Sequence, residues 1–135
     1  MYLLDTCVIS EGSRTRPDGH VDSWFAAQNQ NDLYLSAISV GELHFGIERL
    51  VSGRKRNSLR NWLAETVIVG FAERIVPFDL GSSLRWGDLR ARHPNAKTAD
   101  TQIAAIALAF GFTLVTRNVR DFGFDGLVVL NPWRT

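Results

Sequence analysis

Five short apolar runs, rich in β-branched and aromatic residues, punctuate this chain, with helically spaced stretches between them, and this alternation restricts the possible folds more than anything else. The runs are Tyr2-Leu3-Leu4, Leu33-Tyr34-Leu35-Ser36 and residues 74–78, 112–116 and 127–130. Val21, Trp24 and Phe25 recur at i, i+3 and i+4, which predicts an amphipathic helix running to about Asn29. Val40, Leu43, Ile47, Leu50 and Val51 form one stripe on a helix opened by Ser39. Leu59, Trp62, Leu63 and Val67 make its partner in an α-hairpin, across a basic connector at 53–57. Asp79 is placed to cap a helix to about Arg92, and Thr98 to cap an Ala-rich helix over 99–110 that Gly111 stops. Apolar strands alternating with helices predict an α/β fold, a central parallel sheet of four to five strands covered on both faces. Pro77, which cannot donate to a ladder, puts the third strand at an edge or strand end.

At 135 residues the chain reads as one domain, 1–135. Its longest apolar run, residues 103–110, is far below the roughly 20 residues of a membrane span, and no basic leader with a cleavable apolar core precedes Leu3. A single cysteine, Cys7, cannot form an internal disulfide. The expectation is a cytoplasmic protein without a membrane partner. Thirteen of the fifteen basic residues are arginine, the better bidentate phosphate ligand, but a GC-rich genome explains that bias equally well. The net charge of +1 decides nothing about the partner. A dinucleotide or phosphate-transfer module is disfavoured, because no G-x-G-x-x-G or P-loop follows the first strand, and Asp5-Thr6-Cys7 lacks a second aspartate.

The acids carry more information. Sites in open parallel sheets form at the carboxyl ends of strands, where the following helices begin. Asp5 ends the first strand, and Glu42 is expected in the first turn of the helix leaving the second. Asp100 opens a helix that must finish at the opposite edge, because Gly111 feeds straight into strand four. Asn118 and Asp121 follow strand four. All five should therefore share one rim. Clustered carboxylates repel one another, and oxygen ligands without cysteine or a paired-histidine motif point to Mg²⁺ or Mn²⁺. Each acid also has a structural alternative. Glu42 stands three after Ser39, as in a capping box, and Asp100 could complement a helix dipole.

Arg54, Lys55 and Arg56, with Arg60, Arg90, Arg92 and Lys97, are candidates to flank the pocket and hold the phosphates of a nucleic acid; the alternative for 54–56 is a solvated connector. His20, His44 and His93 are scattered and read as surface or packing residues. Trp24 and Trp62 read as core, whereas Trp86 and Trp133 are open to a subunit interface.

Four segments in order, Leu3 through Glu11, Leu35 through Leu43, Ala99 through Ala105, and Val115-Thr116-Arg117-Asn118 with Asp121-Phe122, resemble the PIN domain of VapC/FitB-like toxins from toxin–antitoxin systems. The likeness runs to the closing Leu130-Asn131-Pro132-Trp133. It implies a three-layer α/β/α PIN fold and a Mg²⁺- or Mn²⁺-dependent endoribonuclease toxin, usually a homodimer, restrained by a VapB/FitA-like antitoxin. It also implies Asp5, Glu42 and Asp100 as catalytic metal ligands, with Thr6, Thr116, Asn118 and Asp121 in support. Where many members carry aspartate directly after Thr-Arg, this chain has Asn118, with Asp121 three residues on. A PIN-fold nucleic-acid-binding protein with a degenerate, non-catalytic metal site is the alternative.

Overall fold

The computed structural model describes residues 1–134. Five parallel strands, β1 (Tyr2–Leu4), β2 (Leu33–Ser36), β3 (Ile75–Val76), β4 (Thr113–Val115) and β5 (Val129–Leu130), form one sheet in the order β3-β2-β1-β4-β5. The strands are shorter than the apolar runs that announce them, for local reasons. Pro77 has no N–H with which to extend β3, which does lie at an edge. Phe112 gives its N–H back to the carbonyl of Ala107, and Leu127 gives its own to Phe124. Each donor is used in a turn before its strand begins.

Register sorts the side chains into two layers. Leu3 lies between Tyr34 and Leu114, and Leu4 between Leu35 and Val115. Because side chains alternate across a strand, Leu3, Tyr34 and Leu114 face one core and Leu4, Leu35 and Val115 the other. The first core is closed by α6 (Leu80–Arg92) and α7 (Thr98–Phe110). The second is closed by α1 (Thr6–Glu11), α2 (Gly19–Ala27), α3 (Ala37–Glu48) and a π-helical stretch, Trp62–Ile68, between α4 (Arg54–Asn61) and α5 (Val69–Phe71). This is the expected three-layer α/β/α architecture. Leu3, Leu4, Leu35, Leu114 and Val115 are all fully buried, so the sheet's centre is where burial stabilises most.

Helix ends depart from the sequence reading in instructive ways. Asp18 caps α2, which begins at Gly19 and stops at Ala27 rather than near Asn29. Residues 53–57 are not a free connector, since α4 starts at Arg54 directly after Gly53. Thr98 does not cap α7; Lys97 occupies that position without a side-chain bond. Asp79 caps α6 as expected, and Gly111 ends α7 in the left-handed conformation, φ 74°, that glycine adopts without steric cost. The α3–α4 hairpin is clasped by Arg60 Nε on Glu48 Oε2 at 2.7 Å. Trp86 is used inside the molecule: its indole N–H donates to Thr101 Oγ1 at 3.1 Å, and its ring meets Phe78 edge-on. Trp24 and Trp62 pack against the second core, as expected.

Candidate metal centre

Asp5 is the floor of the site. It is 6% exposed and stands where β1, the central strand, gives way to α1. Its Oδ1 accepts the Thr6 backbone N–H at 2.8 Å, so Asp5 caps its own helix. Oδ2 accepts the Thr116 hydroxyl at 2.7 Å and lies 3.6 Å from Cys7 Sγ. Thr116 Oγ1 in turn accepts the Asn118 N–H at 3.0 Å, tying the end of β4 to the end of β1. Asp5 is held by donors alone, which fix both of its oxygens in place.

Glu42 reaches the same place from α3, but not as a capping residue. Ser36 caps that helix, accepting the Ser39 N–H at 2.9 Å, so the helix opens two residues before Ser39. The capping box is thereby ruled out, and Glu42 falls in the second turn rather than the first. Its partner is Thr6, whose hydroxyl donates to Oε1 at 2.7 Å. One segment, Asp5-Thr6, therefore holds two of the acids in mutual register.

Asp100 lies in the first turn of α7, half-buried. Its carboxyl is pushed up to about 6, first by burial and then by the negative charges of Asp5, Asp121 and Glu42, with Lys97 opposing. Asp100 and Asp121 line one cleft of about 370 Å³ together with Lys97 and Arg120. Asn118 and Asp121 line a second, of about 560 Å³, with Arg117, Arg120 and Asn131. Asp100 thus feels carboxylates from three other segments at the carboxyl edge of the sheet. Among the described residues none of Asp5, Glu42, Asp100 or Asp121 has a basic side chain within 4.0 Å, since the ion pairs join Arg14–Glu11, His20–Asp18 and Arg60–Glu48. Nor do three such side chains close into a compact ligand cage among those residues. Like charges left to themselves stay apart, and a magnesium site needs no all-protein cage, since that ion keeps several of its waters.

The basic residues divide. Lys55 is exposed and borders the cleft that contains Thr6 and Glu42. Arg54 is exposed as well. Arg56, half-buried, turns its guanidinium toward the Leu50 carbonyl at 3.5 Å. Arg60 is paired with Glu48, and Arg90 donates to the Ala96 carbonyl at 2.5 Å, so both have structural duties. Two residues of the site region escaped the sequence reading. Cys7, half-buried, touches Asp5, and burial followed by the Asp5 charge pushes its thiol pKa up. Glu11 is 4% exposed and accepts the Asp18 N–H at 2.8 Å, pinning the loop between α1 and α2. Position relative to Asp5 is the sole available signal for Cys7; for Glu11 the signal is Arg14 three residues on, while its second partner, the Asp18 amide, leaves none.

A family model for the PIN domain matches residues 2–124. The chain belongs to the PIN domain family. Among its relatives, plasmid stability protein StbB of Pseudomonas syringae pv. tomato is 44% identical over 137 residues, covering 98% of this chain and 99% of that protein. VapC ribonuclease Y4jK of Sinorhizobium fredii is 43% identical over 140 residues, covering 98% of each. The crystal structure of FitAcB from Neisseria gonorrhoeae matches this PIN domain with a TM-score of 0.92 at 37% identity, covering all of both chains. Within the family the chain is of the VapC/FitB type. No helix among the described residues of this PIN domain is long and apolar enough to cross a membrane.

Proposed function

We propose that this PIN domain is the toxin of a toxin–antitoxin pair and acts as a Mg²⁺- or Mn²⁺-dependent endoribonuclease. One observation carries the reading: Asp5, Glu42, Asp100 and Asp121 converge from four segments without a basic partner within 4.0 Å. A structural role for acids would leave each with a cap or an ion pair, and Asp5 alone is a cap. The donor set fits a hard divalent cation, being all oxygen, partly exposed and open to water.

Asp5 and Asp100 are the residues assigned to hold the cation, with Glu42 orienting it or a bound water. Such an ion, when bound, lowers the pKa of a water and offsets charge on the scissile phosphate. The chain's own contribution is positional. Thr116 and the Thr6 amide fix both oxygens of Asp5, and the Thr6 hydroxyl fixes Glu42 while leaving its second oxygen free. Asp121 supplies at the cleft with Asp100 the charge that Asn118 lacks. Attack of water on phosphorus, in line with the departing 3′-oxygen, leaves a 5′-phosphate and a 3′-hydroxyl, the proton passing to the leaving oxygen.

Relatives named as a VapC ribonuclease and as the toxin FitB support the catalytic and the toxin halves of this reading. The partners that follow are RNA as substrate, a VapB/FitA-like antitoxin and a second copy of the chain. Asn118 favours one other reading, a nucleic-acid-binding PIN domain that no longer cuts. Incubating single-stranded RNA with wild-type and Asp5→Asn protein in Mg²⁺ separates the two: cutting by wild type and its loss in the variant support the nuclease, and intact RNA in both supports the relict site.

A further inference from the structure

Beside the acids, α1, α3 and α4 line a cleft of about 300 Å³ that mixes acidic, basic and apolar side chains. Its lining combines Glu42 and Thr6, the cation Lys55, and the apolar side chains of Leu43, Leu59 and Trp62. Ser13, Lys55 and Leu59 also line an adjoining cleft of about 590 Å³, which Arg14, Thr15 and Arg16 complete. Arg14 is occupied by Glu11 at 3.3 Å, whereas Arg16 and Lys55 have no carboxylate within 4.0 Å among the described residues. The loop that carries Arg16 is fastened by the buried Glu11 carboxylate to the Asp18 amide, so this cation is presented from a tethered segment. Lys55, in the first turn of α4, is set against that helix's own dipole, an arrangement that costs stability unless an anion completes it.

We propose that these joined clefts are a nucleotide subsite for single-stranded RNA, in which a base adjoining the cut lies on the Trp62–Leu59 surface and its phosphate is held by Arg16 and Lys55. The proposal rests on the nuclease reading for the position of the cut, beside Glu42. Charge complementarity selects the occupant: two unpaired cations lining the same joined clefts as Leu59 and Trp62 match a phosphate joined to a base, and stacking on an aromatic side chain tolerates any base. Arg56 and Arg60, their sequence neighbours, are turned to Leu50 and Glu48 and stand outside the subsite.

The test measures binding of a 12-nucleotide single-stranded RNA by Asp5→Asn protein in Mg²⁺, as a function of salt. Each neutralised phosphate contributes about 0.7 to the salt slope, and Arg16 and Lys55 share one, so adding Arg16→Ala with Lys55→Ala should lower the slope by about 0.7. Both side chains are exposed, and their removal should not lower the thermal midpoint, relief of the Lys55 clash with its helix dipole raising it slightly if at all. Arg60→Ala in the same background should leave the slope as it was. An abasic nucleotide next to the cut should weaken binding about five-fold or more when Trp62 is present. An unchanged slope in the double variant, an equal loss on Arg60→Ala, or indifference to the abasic site would each overturn the subsite. Cleavage by wild-type protein is followed in parallel. Cutting with an unchanged slope in the double variant overturns the subsite alone; the full slope loss without any cutting overturns the nuclease reading and leaves an RNA-binding cleft.

Discussion

Asp5 and Asp100 illustrate two ways in which a carboxylate can be made useful. Asp5 is buried yet surrounded by donors, so its charge is held in place by Thr6, Thr116 and Cys7. Replacing it with asparagine should slow RNA cleavage by about 10²–10³-fold or more, the usual loss for a key electrostatic group, while circular dichroism stays unchanged. Asp100 lacks such donors, and burial plus its acidic neighbours raise its carboxyl from 3.8 to about 6. The sign follows. Below its ordinary value the group is protonated in folded and unfolded chain alike; between there and about 6 the folded chain holds a proton that the unfolded chain has released. Stability of the metal-free protein should therefore fall as pH rises through that window and level off above it. Because Asp100 is only half-buried, water screens the effect to no more than about 1 kcal/mol. Thermal melts in EDTA across pH 4–8 check this, and Asp100→Asn should both flatten the profile and raise the midpoint at neutral pH. At this scale the sequence reveals residue type and rim position, which was enough for Asp5, Asp100 and Asp121. It does not disclose which side chain or backbone group a residue meets, so Cys7 and Glu11 go unread and Arg60 and Arg90 look free although Glu48 and the Ala96 carbonyl hold them.

Among the elements, α3 decides how Glu42 is understood. Two overlapping cap patterns, Ser36-x-x-Ser39 and Ser39-x-x-Glu42, are written into the same stretch, and local rules cannot choose between them. The sheet chooses, because β2 ends at Ser36 and the helix must start there. Ser36→Ala should accordingly cost about 1 kcal/mol of stability, and more if the buried Ser39 hydroxyl loses its partner. Glu42→Gln should leave the urea midpoint nearly unchanged and slow cleavage. A Glu42→Gln variant as destabilised as Ser36→Ala would restore the capping role. Strand ends show the same limit in milder form: apolar character marks 112–116 and 127–130, but turn bonds at Phe112 and Leu127 set where pairing starts.

For the whole molecule, strand order turns separate segments into one pocket. With β1 central and β2 and β4 flanking it, the residues that follow or face the ends of those three strands necessarily become neighbours. That much was legible, because alternating strands and helices leave few arrangements other than a covered parallel sheet. The same order places Leu4 and Leu114 at the centre of the two cores, each fully buried. Leu114→Ala should cost about 2–5 kcal/mol, measured by urea unfolding, and should loosen the Thr116 contact to Asp5 two residues on. The same geometry gathers negative charge at one rim. Titration calorimetry of Mn²⁺ into wild-type and Asp5→Asn protein at pH 7.5 asks whether that charge holds a cation. Saturable uptake by wild type, abolished or greatly weakened in Asp5→Asn, is the expected result; no uptake by wild type, or equal uptake by both, would contradict it.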